Sequence, residues 1–192
     1  MIHEAAGLGA DMVILPEMFN ITYNARMMAA NAEYYPGNST EFLARAAEEN
    51  RIILVGGPIA EKDPDGSVYN TSFVFDEKGQ LIGRHRKIHL FDIDIPGKAT
   101  FKESSVLSAG NNITVIKHQK ICFSLLICYD CRFPELFRAA TSEGAQLVVI
   151  PAAFTIPTGS MHWDLIMRCR AVDHQVYIAA ASPARTPGSS YQ

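Results

Sequence analysis

A cysteine, a glutamate and a lysine each come just after a short apolar run, at the point where a buried strand would end. Cys128 closes one run and precedes residues 129–135, which are typical of a turn that opens a helix, while Glu17 and Lys87 follow two other runs. We expect the sulfur at such a strand-to-helix corner to be exposed, with a thiol pKa lowered by the N–H groups of the helix start. Those N–H groups can also hold an oxyanion. Three strand ends that face one pocket would supply a base, a cation and a nucleophile, which is a catalytic triad.

Each of the three residues also has a plain structural interpretation when it is considered alone. Glu17 is compatible with a solvated loop acid, and Lys87 belongs to a basic cluster that is compatible with an exposed hairpin edge. Cys128 is compatible with a small buried hydrophobic residue, or with half of a redox or zinc pair with Cys131. A zinc site needs a second pair of ligands at short spacing, and the other two cysteines do not supply it.

Composition restricts the class of protein. The 192 residues are 48% hydrophobic and 19% charged, which predicts one globular domain over residues 1–192. The formal net charge of −3 gives no indication of a nucleic-acid partner or of an anionic membrane surface. No apolar run approaches the ~20 residues of a membrane span, and no secretory signal pattern is visible. Four cysteines are too sparse for a disulfide framework, so we expect reduced thiols in a cytosol-like compartment.

Strand-like and helix-like segments alternate along the chain. Short apolar runs, as expected for strands buried on both faces, occupy residues 12–15, 52–55, 147–150 and 176–180. Helical patterns occupy residues 39–50, 132–143 and 163–173. A turn between residues 68–75 and 81–86 predicts a hairpin. The predicted fold class is therefore α/β with a mixed sheet.

A faint internal repeat relates the two halves of the chain. Residues 9–19 resemble residues 144–154, and a helix followed by a strand comes after each segment. Two similar halves predict a pseudo-two-fold sandwich in which two sheets pack face to face with helices outside. The counterpart of Glu17 in the repeat is Ala152, so the scaffold does not require an acid at this strand end.

Three ordered motifs, at residues 15–17, 86–90 and 127–135, resemble the signatures of the nitrilase (carbon–nitrogen hydrolase) superfamily. The segments most similar to its omega-amidase branch are residues 87–98, 101–104, 151–154 and 158–163. The resemblance covers nearly the whole chain and implies a four-layer α-β-β-α sandwich with pseudo-two-fold halves.

Family members begin with a further strand and helix, and they continue past the segment that matches residues 181–185 here. From the resemblance we expect a partial carbon–nitrogen hydrolase domain, incomplete at both termini, with Met1 inside the first helix. A fragment or a truncated gene model would have this form.

The resemblance assigns a role to each chemical group. Cys128 is the expected nucleophile, and Glu17 is the expected acid and base that takes the thiol proton, delivers it to ammonia and then activates water. Lys87 and the backbone N–H of Tyr129 are expected to hold the oxyanion. The second acid that the family implies near the lysine matches Glu103, which would orient Lys87 or assist in proton transfer. We expect no cofactor and no metal ion.

The omega-amidase resemblance implies a small ω-amide of a 2-oxo dicarboxylic acid, such as 2-oxoglutaramate or 2-oxosuccinamate. We expect the long loop 92–112 to form one wall of the pocket, with Tyr129, Phe154 and Thr158 opposite. A carboxylate on the substrate requires a cation. Lys98 is one expected substrate-binding residue, and the available cations are Lys98, Arg132, Arg168, Arg170 and Arg185.

As the family forms dimers, we expect a homodimer associated through helices 133–143 and 163–173. Location in the cytoplasm, with mitochondria as a second compartment, is also expected, without a nucleic-acid or membrane partner.

Two other function classes stay open. One is an amidase of another branch, acting on deaminated glutathione, a ureido compound or a nitrile. The other is an inactive truncated form that only binds partners.

Overall fold

The computed structural model of the protein describes residues 1–96 and 99–183. Its α-helices are α1 (Ile2–Gly7), α2 (Ala25–Ala30), α3 (Asn38–Asn50), α4 (Pro134–Ser142) and α5 (Ile156–His174). Its strands are β1 (Met12–Ile14), β2 (Ile53–Lys62), β3 (Val68–Phe75), β4 (Leu81–Arg86), β5 (Asp92–Ile95), β6 (Ala99–Lys102), β7 (Thr114–Lys117), β8 (Cys122–Leu125), β9 (Leu147–Pro151) and β10 (Tyr177–Ala181). Short 3-10 helices span Glu103–Ser105 and Cys128–Arg132. Within the described ranges, no helix is long and apolar enough to cross a bilayer.

The two main sheets have related strand orders. In the first sheet the order is β1-β2-β3-β4, with β1 parallel to β2 and the other neighbours antiparallel. In the second the order is β10-β9-β8-β7, with only the β7–β8 pair antiparallel. The predicted hairpin of residues 68–86 is present as β3 and β4. The predicted α/β class with mixed sheets is confirmed.

The sheets pack face to face through apolar side chains. Ile53 and Val55 of β2 lie in one buried cluster with Phe123 and Leu125 of β8. Helix α3 covers the outer face of the first sheet, where Leu43 packs in a second cluster. Helices α4 and α5 cover the outer face of the second sheet. The layers are therefore α-β-β-α, as expected, and burial of these apolar faces holds them together.

The internal repeat corresponds to the two-fold relation between the halves. Strands β1 and β9, which begin the matching segments, each pair in parallel with the strand that follows the next long helix of their half. At the ends of these strands the backbone N–H of Glu17 donates to the carbonyl of Ala152 at 3.2 Å. The two residues that the repeat aligns are therefore hydrogen-bonded to each other where the two halves of the fold meet.

Three segments differ from the elements that the sequence predicted. The predicted helix 132–143 is a 3-10 helix followed by α4, because the residue before a proline avoids helical backbone and Phe133 is extended before Pro134. The helix predicted at 163–173 begins earlier, at Ile156, with a proline in its first turn. Residues 92–112, which were expected to be a loop, contain the β5–β6 hairpin and a 3-10 helix.

Candidate active site

The three groups predicted to form a triad meet at one end of the two sheets. Glu17 follows β1, Lys87 follows β4 directly, and Cys128 begins the 3-10 helix shortly after β8. The side chains of Glu17 and Lys87 are fully buried, and Cys128 is only 7% exposed. The solvated loop acid and the exposed hairpin edge are therefore wrong interpretations of Glu17 and Lys87.

The lysine lies between two carboxylates. Lys87 Nζ is 3.0 Å from Glu17 Oε1, and it lies 3.0 Å from Oε1 and 2.9 Å from Oε2 of Glu103. Glu103 is fully buried and begins the 3-10 helix Glu103–Ser105. Three further donors hold its carboxylate: the backbone N–H of Phe91 at 2.7 Å, the hydroxyl of Tyr23 at 2.6 Å and the side-chain amide of Asn70 at 3.3 Å. The structure thus brings Glu103 to the place that the resemblance implied.

Close backbone packing fixes the segment that carries Glu17. A Cβ atom added at Gly57 would clash with the carbonyl groups of Leu15 and Pro16, so only glycine allows β2 to approach this turn. Met18, the residue after Glu17, has a left-handed backbone with φ of 53° and donates its N–H to the Pro58 carbonyl at 2.8 Å. The acid therefore projects from a tightly held turn.

Cys128 occupies a sharp corner, as predicted, with a left-handed φ of 46° that is uncommon for a residue with a side chain. Its thiol faces the Glu17 carboxylate, and the backbone N–H of Ala153 donates to the sulfur. A thiol that faces a carboxylate can transfer its proton directly to that base. This geometry is the one required for activation of a cysteine nucleophile.

The expectation of an exposed sulfur with a low pKa is wrong. Burial raises the pKa of the Cys128 thiol well above its ordinary value, and the negative charge of Glu17 raises it further against the opposing effect of Lys87. Burial also raises the pKa of Glu17, while Lys87 opposes this effect. Both shifts disfavour charge, so the environment favours a neutral thiol and makes Glu17 a stronger base than an ordinary carboxylate.

Lys87 stays protonated. Burial disfavours its charge, but the two carboxylates outweigh burial and raise the pKa of Lys87 above its ordinary value. The site therefore holds a permanent cation beside the thiol, suited to stabilise negative charge on an oxygen or on the sulfur.

A buried carboxylate braces the corner of Cys128. Asp130 accepts the backbone N–H groups of His89 at 2.8 Å and of Ile127 at 3.1 Å. Its oxygens lie 3.0 Å from His89 Nδ1 and 3.6 Å from His85 Nε2. Burial opposes the charge, but the nearby side chains of His85 and His89 hold the pKa of Asp130 below its usual range. Asp130 thereby ties the segment of Lys87 to the corner that carries the thiol.

The second cysteine of the corner has a different environment. Cys131 is fully buried, and burial raises its pKa to about 11. An attacking thiol of a redox pair needs access and thiolate character, so this environment argues against the dithiol alternative. Among the described residues, no group of three or more histidine, cysteine and acidic side chains is arranged to hold a metal ion.

A small cavity opens beside the corner. It has a volume of about 30 Å³ and is lined by Phe91, Tyr129, Arg132, Ala153, Phe154, Thr155 and Thr158. A cleft of about 360 Å³ lies next to it and shares Phe154. Three of the predicted substrate-binding residues, Tyr129, Phe154 and Thr158, are therefore brought together. The fourth, Lys98, lies outside the described residues.

One wall of the cavity differs from the expectation. The cavity is lined by Phe91, which immediately precedes the segment 92–112 that was expected to line it. The segment instead supports Phe91 from behind, because the ring centroid of Phe101 is 6.0 Å from that of Phe91. Thr158 bonds the hydroxyl of Thr155 at 2.9 Å, which fixes its orientation at the start of α5.

The structure distinguishes the cations that the sequence could not rank. Arg168 is mostly exposed and faces Asp164, and Arg170 donates to the backbone carbonyl groups of Cys131 and Arg132. Arg185, like Lys98, lies outside the described residues. Arg132 lines the small cavity and forms no ion pair with any described carboxylate.

Two residues of the site were missed by the sequence analysis. Asn70 donates its side-chain N–H groups to Glu17 Oε1 at 2.8 Å and to Glu103 Oε1 at 3.3 Å, and Tyr23 donates to Glu103. Neither side chain is charged or nucleophilic, so neither stood out. One signal in the sequence could have indicated Asn70: residues 70–72 are polar within a strand whose other residues have the pattern of a buried strand. Buried polar groups require hydrogen-bond partners, so such a run predicts polar groups nearby.

Comparison with known proteins gives consistent matches over nearly the whole chain. The carbon–nitrogen hydrolase family model matches residues 1–191. An omega-amidase of Mus musculus is 49% identical over 191 residues, which are 100% of this chain and 69% of the mouse protein. Nit3 of Saccharomyces cerevisiae, a member of branch 10 of the nitrilase superfamily, has a TM-score of 0.89 and 42% identity, with 99% of this chain and 69% of that chain covered.

A more distant solved structure is also similar. It is an amidase mutant from Nesterenkonia sp. AN1 that shows the result of Michael addition of acrylamide at the active-site cysteine. Its TM-score is 0.75 and its identity 26%, with 94% of this chain and 68% of that chain covered. These structures have the fold described above.

Proposed function

Since the chain belongs to the carbon–nitrogen hydrolase family and is a hydrolase of amide C–N bonds, we propose that it cleaves the ω-amide of small 2-oxo dicarboxylic acid monoamides. The substrates are 2-oxoglutaramate and 2-oxosuccinamate, and the products are the dicarboxylate and ammonia. The observation that carries the proposal is the buried cluster in which Lys87 contacts two carboxylates and Glu17 contacts the thiol of Cys128. The similarity to the mouse omega-amidase supports the choice of substrate.

The first half of the proposed reaction forms a thioester. The sulfur of Cys128 attacks the amide carbonyl carbon while its proton moves to Glu17, and the carbonyl π electrons move to the oxygen. Lys87 and the backbone N–H of Tyr129 stabilise that oxyanion. Glu17 then gives the proton to the nitrogen, the electrons on the oxygen re-form the carbonyl as the C–N bond breaks, and ammonia leaves a thioester behind.

The second half releases the product. Water attacks the thioester carbonyl carbon while Glu17 takes one of its protons and the carbonyl π electrons move to the oxygen; these electrons then re-form the carbonyl as the C–S bond breaks. The departing sulfur regains the proton from Glu17, which restores the thiol and the carboxylate. Because the proton moves only between Cys128, Glu17 and the reacting molecules, the buried site keeps its total charge at each transfer. The cost of separating charge in a dry environment is thereby limited.

Arg132 is proposed to bind the free carboxylate of the substrate. Its guanidinium carbon lies 5.7 Å from the ring of Tyr129 and 5.9 Å from that of Phe154, which hold it over the cavity. Its Nη2 is 3.2 Å from His162 Nδ1, and this contact does not pair the guanidinium with a carboxylate. A planar guanidinium suits bidentate recognition of a carboxylate. Tyr129, Phe154 and Thr158 would contact the chain of the substrate.

The test is ammonia release by the purified chain from a panel of amides. The panel contains 2-oxoglutaramate, 2-oxosuccinamate, deaminated glutathione, a ureido acid, a nitrile and a small amide without a carboxylate. We expect the largest kcat/KM with the two 2-oxo acid amides. A larger kcat/KM with any other member of the panel would contradict the proposed substrate class. The absence of ammonia release from every member would contradict the proposed activity.

A variant pair tests the role of Arg132. Arg132→Leu should raise KM for 2-oxoglutaramate by about 10- to 100-fold, which is the effect of losing one charge-assisted hydrogen bond. The KM for the amide without a carboxylate should hardly change. Arg168→Leu, which removes an exposed arginine of α5, is the matched control and should change neither KM.

A further inference from the structure

Asn70 connects the two acids of the site. It lies in β3 and is fully buried. Its Nδ2 is 2.8 Å from Glu17 Oε1 and 3.3 Å from Glu103 Oε1, and Lys87 Nζ is 3.0 Å from each of the same two oxygens. Each of these oxygens therefore accepts one hydrogen bond from the amide and one from the ammonium group.

The main chain of Asn70 also contacts the lysine. The backbone N–H of Lys87 donates to the carbonyl of Asn70 at 2.8 Å, one position beyond the Thr71–Arg86 pair that ends the β3–β4 ladder. One residue thus fixes the backbone of the cation and the side chains of both anions. Strand β3 lies in the middle of the first sheet, between β2 and β4, so its position is well held.

The orientation of the amide is determined by its neighbours. Turned the other way, its oxygen would face two carboxylate oxygens, which repel it. In the observed orientation Oδ1 is buried and accepts no hydrogen bond from a described residue. A buried acceptor without a donor is unfavourable. The fold tolerates this cost, which indicates that the donor end of Asn70 is the part that the site uses.

Glu17 has one oxygen outside this arrangement. Its Oε1 accepts from Lys87 and Asn70, whereas Oε2 is buried and accepts no hydrogen bond from an N–H or O–H group of the described residues. With one oxygen held by two donors, the carboxylate cannot rotate freely. The other oxygen is then available to take a proton.

We propose that Asn70 is a positioning residue for hydrolysis, whose side-chain amide holds Glu17 and Glu103 in fixed orientation around Lys87 and keeps Glu17 ionised with one oxygen available for the thiol proton. This inference rests on the proposed function, in which Glu17 is the general base. The charged and titratable groups that face Glu17 are Lys87, Glu103, Cys128 and Tyr23. Asn70 adds a neutral donor to this set.

The consequence concerns the pH dependence of turnover. A hydrogen bond donated to a carboxylate favours its charged form and lowers its pKa. Without the amide, the pKa of Glu17 rises, so a higher pH is needed to ionise the base. The acidic limb of kcat/KM, which reports the free enzyme, then moves to higher pH.

The experiment compares Asn70→Ala, Asn70→Ser and the control Ser72→Ala. Ser72 lies two residues further along β3, is equally buried, and donates its hydroxyl to the Gly56 carbonyl. Asn70→Ala should move the acidic limb up by about one pH unit or more, the effect of one hydrogen bond to a charged group. Asn70→Ser keeps one donor and should shift the limb less, and Ser72→Ala should not shift it.

A second readout does not depend on turnover. The Glu17 carboxyl, labelled with ¹³C and assigned through Glu17→Gln, is titrated by NMR in each variant, and its pKa should rise in Asn70→Ala. If the wild-type chain hydrolyses no amide, the proposed function fails, while this titration still decides the role of Asn70. An unchanged limb and an unchanged Glu17 titration in Asn70→Ala or Asn70→Ser would overturn the proposal. An equal shift in Ser72→Ala would do the same.

Discussion

Lys87 Nζ lies 3.0 Å from Glu17 Oε1, although 70 positions separate the two residues in the sequence. Both side chains are fully buried, and Lys87 forms a second ion pair with Glu103. Removing two charges from water is costly, and a buried pair is compensated only when its hydrogen bonds are well formed. Such a cluster is weak evidence for stability, and its position beside the Cys128 thiol favours a chemical role.

The first prediction concerns Lys87→Met. This change removes the proposed oxyanion donor, so kcat should fall by about 10²- to 10³-fold, as for other donors of this type. The lysine also lowers the pKa of Cys128 against the effect of burial. Alkylation of Cys128 by iodoacetamide at neutral pH should therefore become slower in the variant.

Arg84→Met is the control for Lys87→Met. Arg84 lies in the same basic cluster, is about one-third exposed, and pairs with Glu61 away from the thiol. It should leave both alkylation and turnover near the wild-type values. Circular dichroism should show that both variants are folded. Wild-type turnover together with unchanged alkylation in Lys87→Met would remove the lysine from the proposed triad.

The second prediction concerns the pH dependence of Glu17. Burial, the largest effect, raises its pKa above the ordinary value of 4.5. A general base must be ionised in the free enzyme, so kcat/KM should rise with pH through this raised pKa, along a limb that lies above pH 4.5. Glu17→Gln should lose turnover, since neither thioester formation nor thioester hydrolysis would have a proton acceptor.

Glu61→Gln tests whether the loss is specific to the site. Glu61 is another buried carboxylate, but it faces Arg84 and Arg86. Its variant should lose stability in thermal unfolding and keep the acidic limb of the wild type. A Glu17→Gln variant that hydrolyses its substrate at the normal rate would exclude Glu17 as the base.

The site residues differ in how visible they were in the sequence. Cys128, Glu17 and Lys87 could be identified because chemically active residue types follow apolar runs, and Glu103 through the resemblance alone. Asn70 could not, since its role depends on two acids that are distant along the chain and reach it only through β3 and β4. The raised pKa of Cys128 was hidden for the same reason: it results from burial and from Glu17.

The fold followed from periodicity and from the repeat, but the ends of its elements did not. Apolar runs predicted the central strands, and the repeat predicted two packed sheets. The break before Pro134 and the early start of α5 depend on local backbone preferences that override a general helical pattern. The hairpin β5–β6 has mixed composition, with alternation too short to recognise over four residues per strand.

Of the two helices expected to form the dimer surface, 133–143 and 163–173, the third prediction keeps the second: the chain forms a homodimer through α5 and strand β10, which is last in the sheet order of the described residues. Leu165 and Val172 of α5 and Tyr177 of β10 are 67%, 76% and 78% exposed, and apolar side chains that share a surface in this way are typical of an interface. Sedimentation velocity should give a two-chain species. The double variant Leu165→Glu/Val172→Glu should sediment as a monomer because it places charges on this surface.

Phe42→Glu is the matched control for the dimer. Phe42 is an exposed apolar residue of α3, on the outer layer of the other sheet. Its variant should keep the two-chain species. A monomeric wild type, or dissociation caused by Phe42→Glu but not by the double variant, would exclude the proposed surface.

The most direct test of the thiol amidase is to find the covalent intermediate. The chain is mixed with 2-oxoglutaramate and quenched in acid within the first turnovers, and peptide mass spectrometry locates any added acyl group. Cys131→Ala, which removes the buried neighbouring thiol, should retain the adduct and most of the ammonia release, whereas Cys128→Ala should lose both. We predict a 2-oxoglutaryl thioester on Cys128 that forms with ammonia and disappears as the dicarboxylate is released. Ammonia release by Cys128→Ala at the wild-type rate, or an adduct found only on Cys131, would contradict the mechanism.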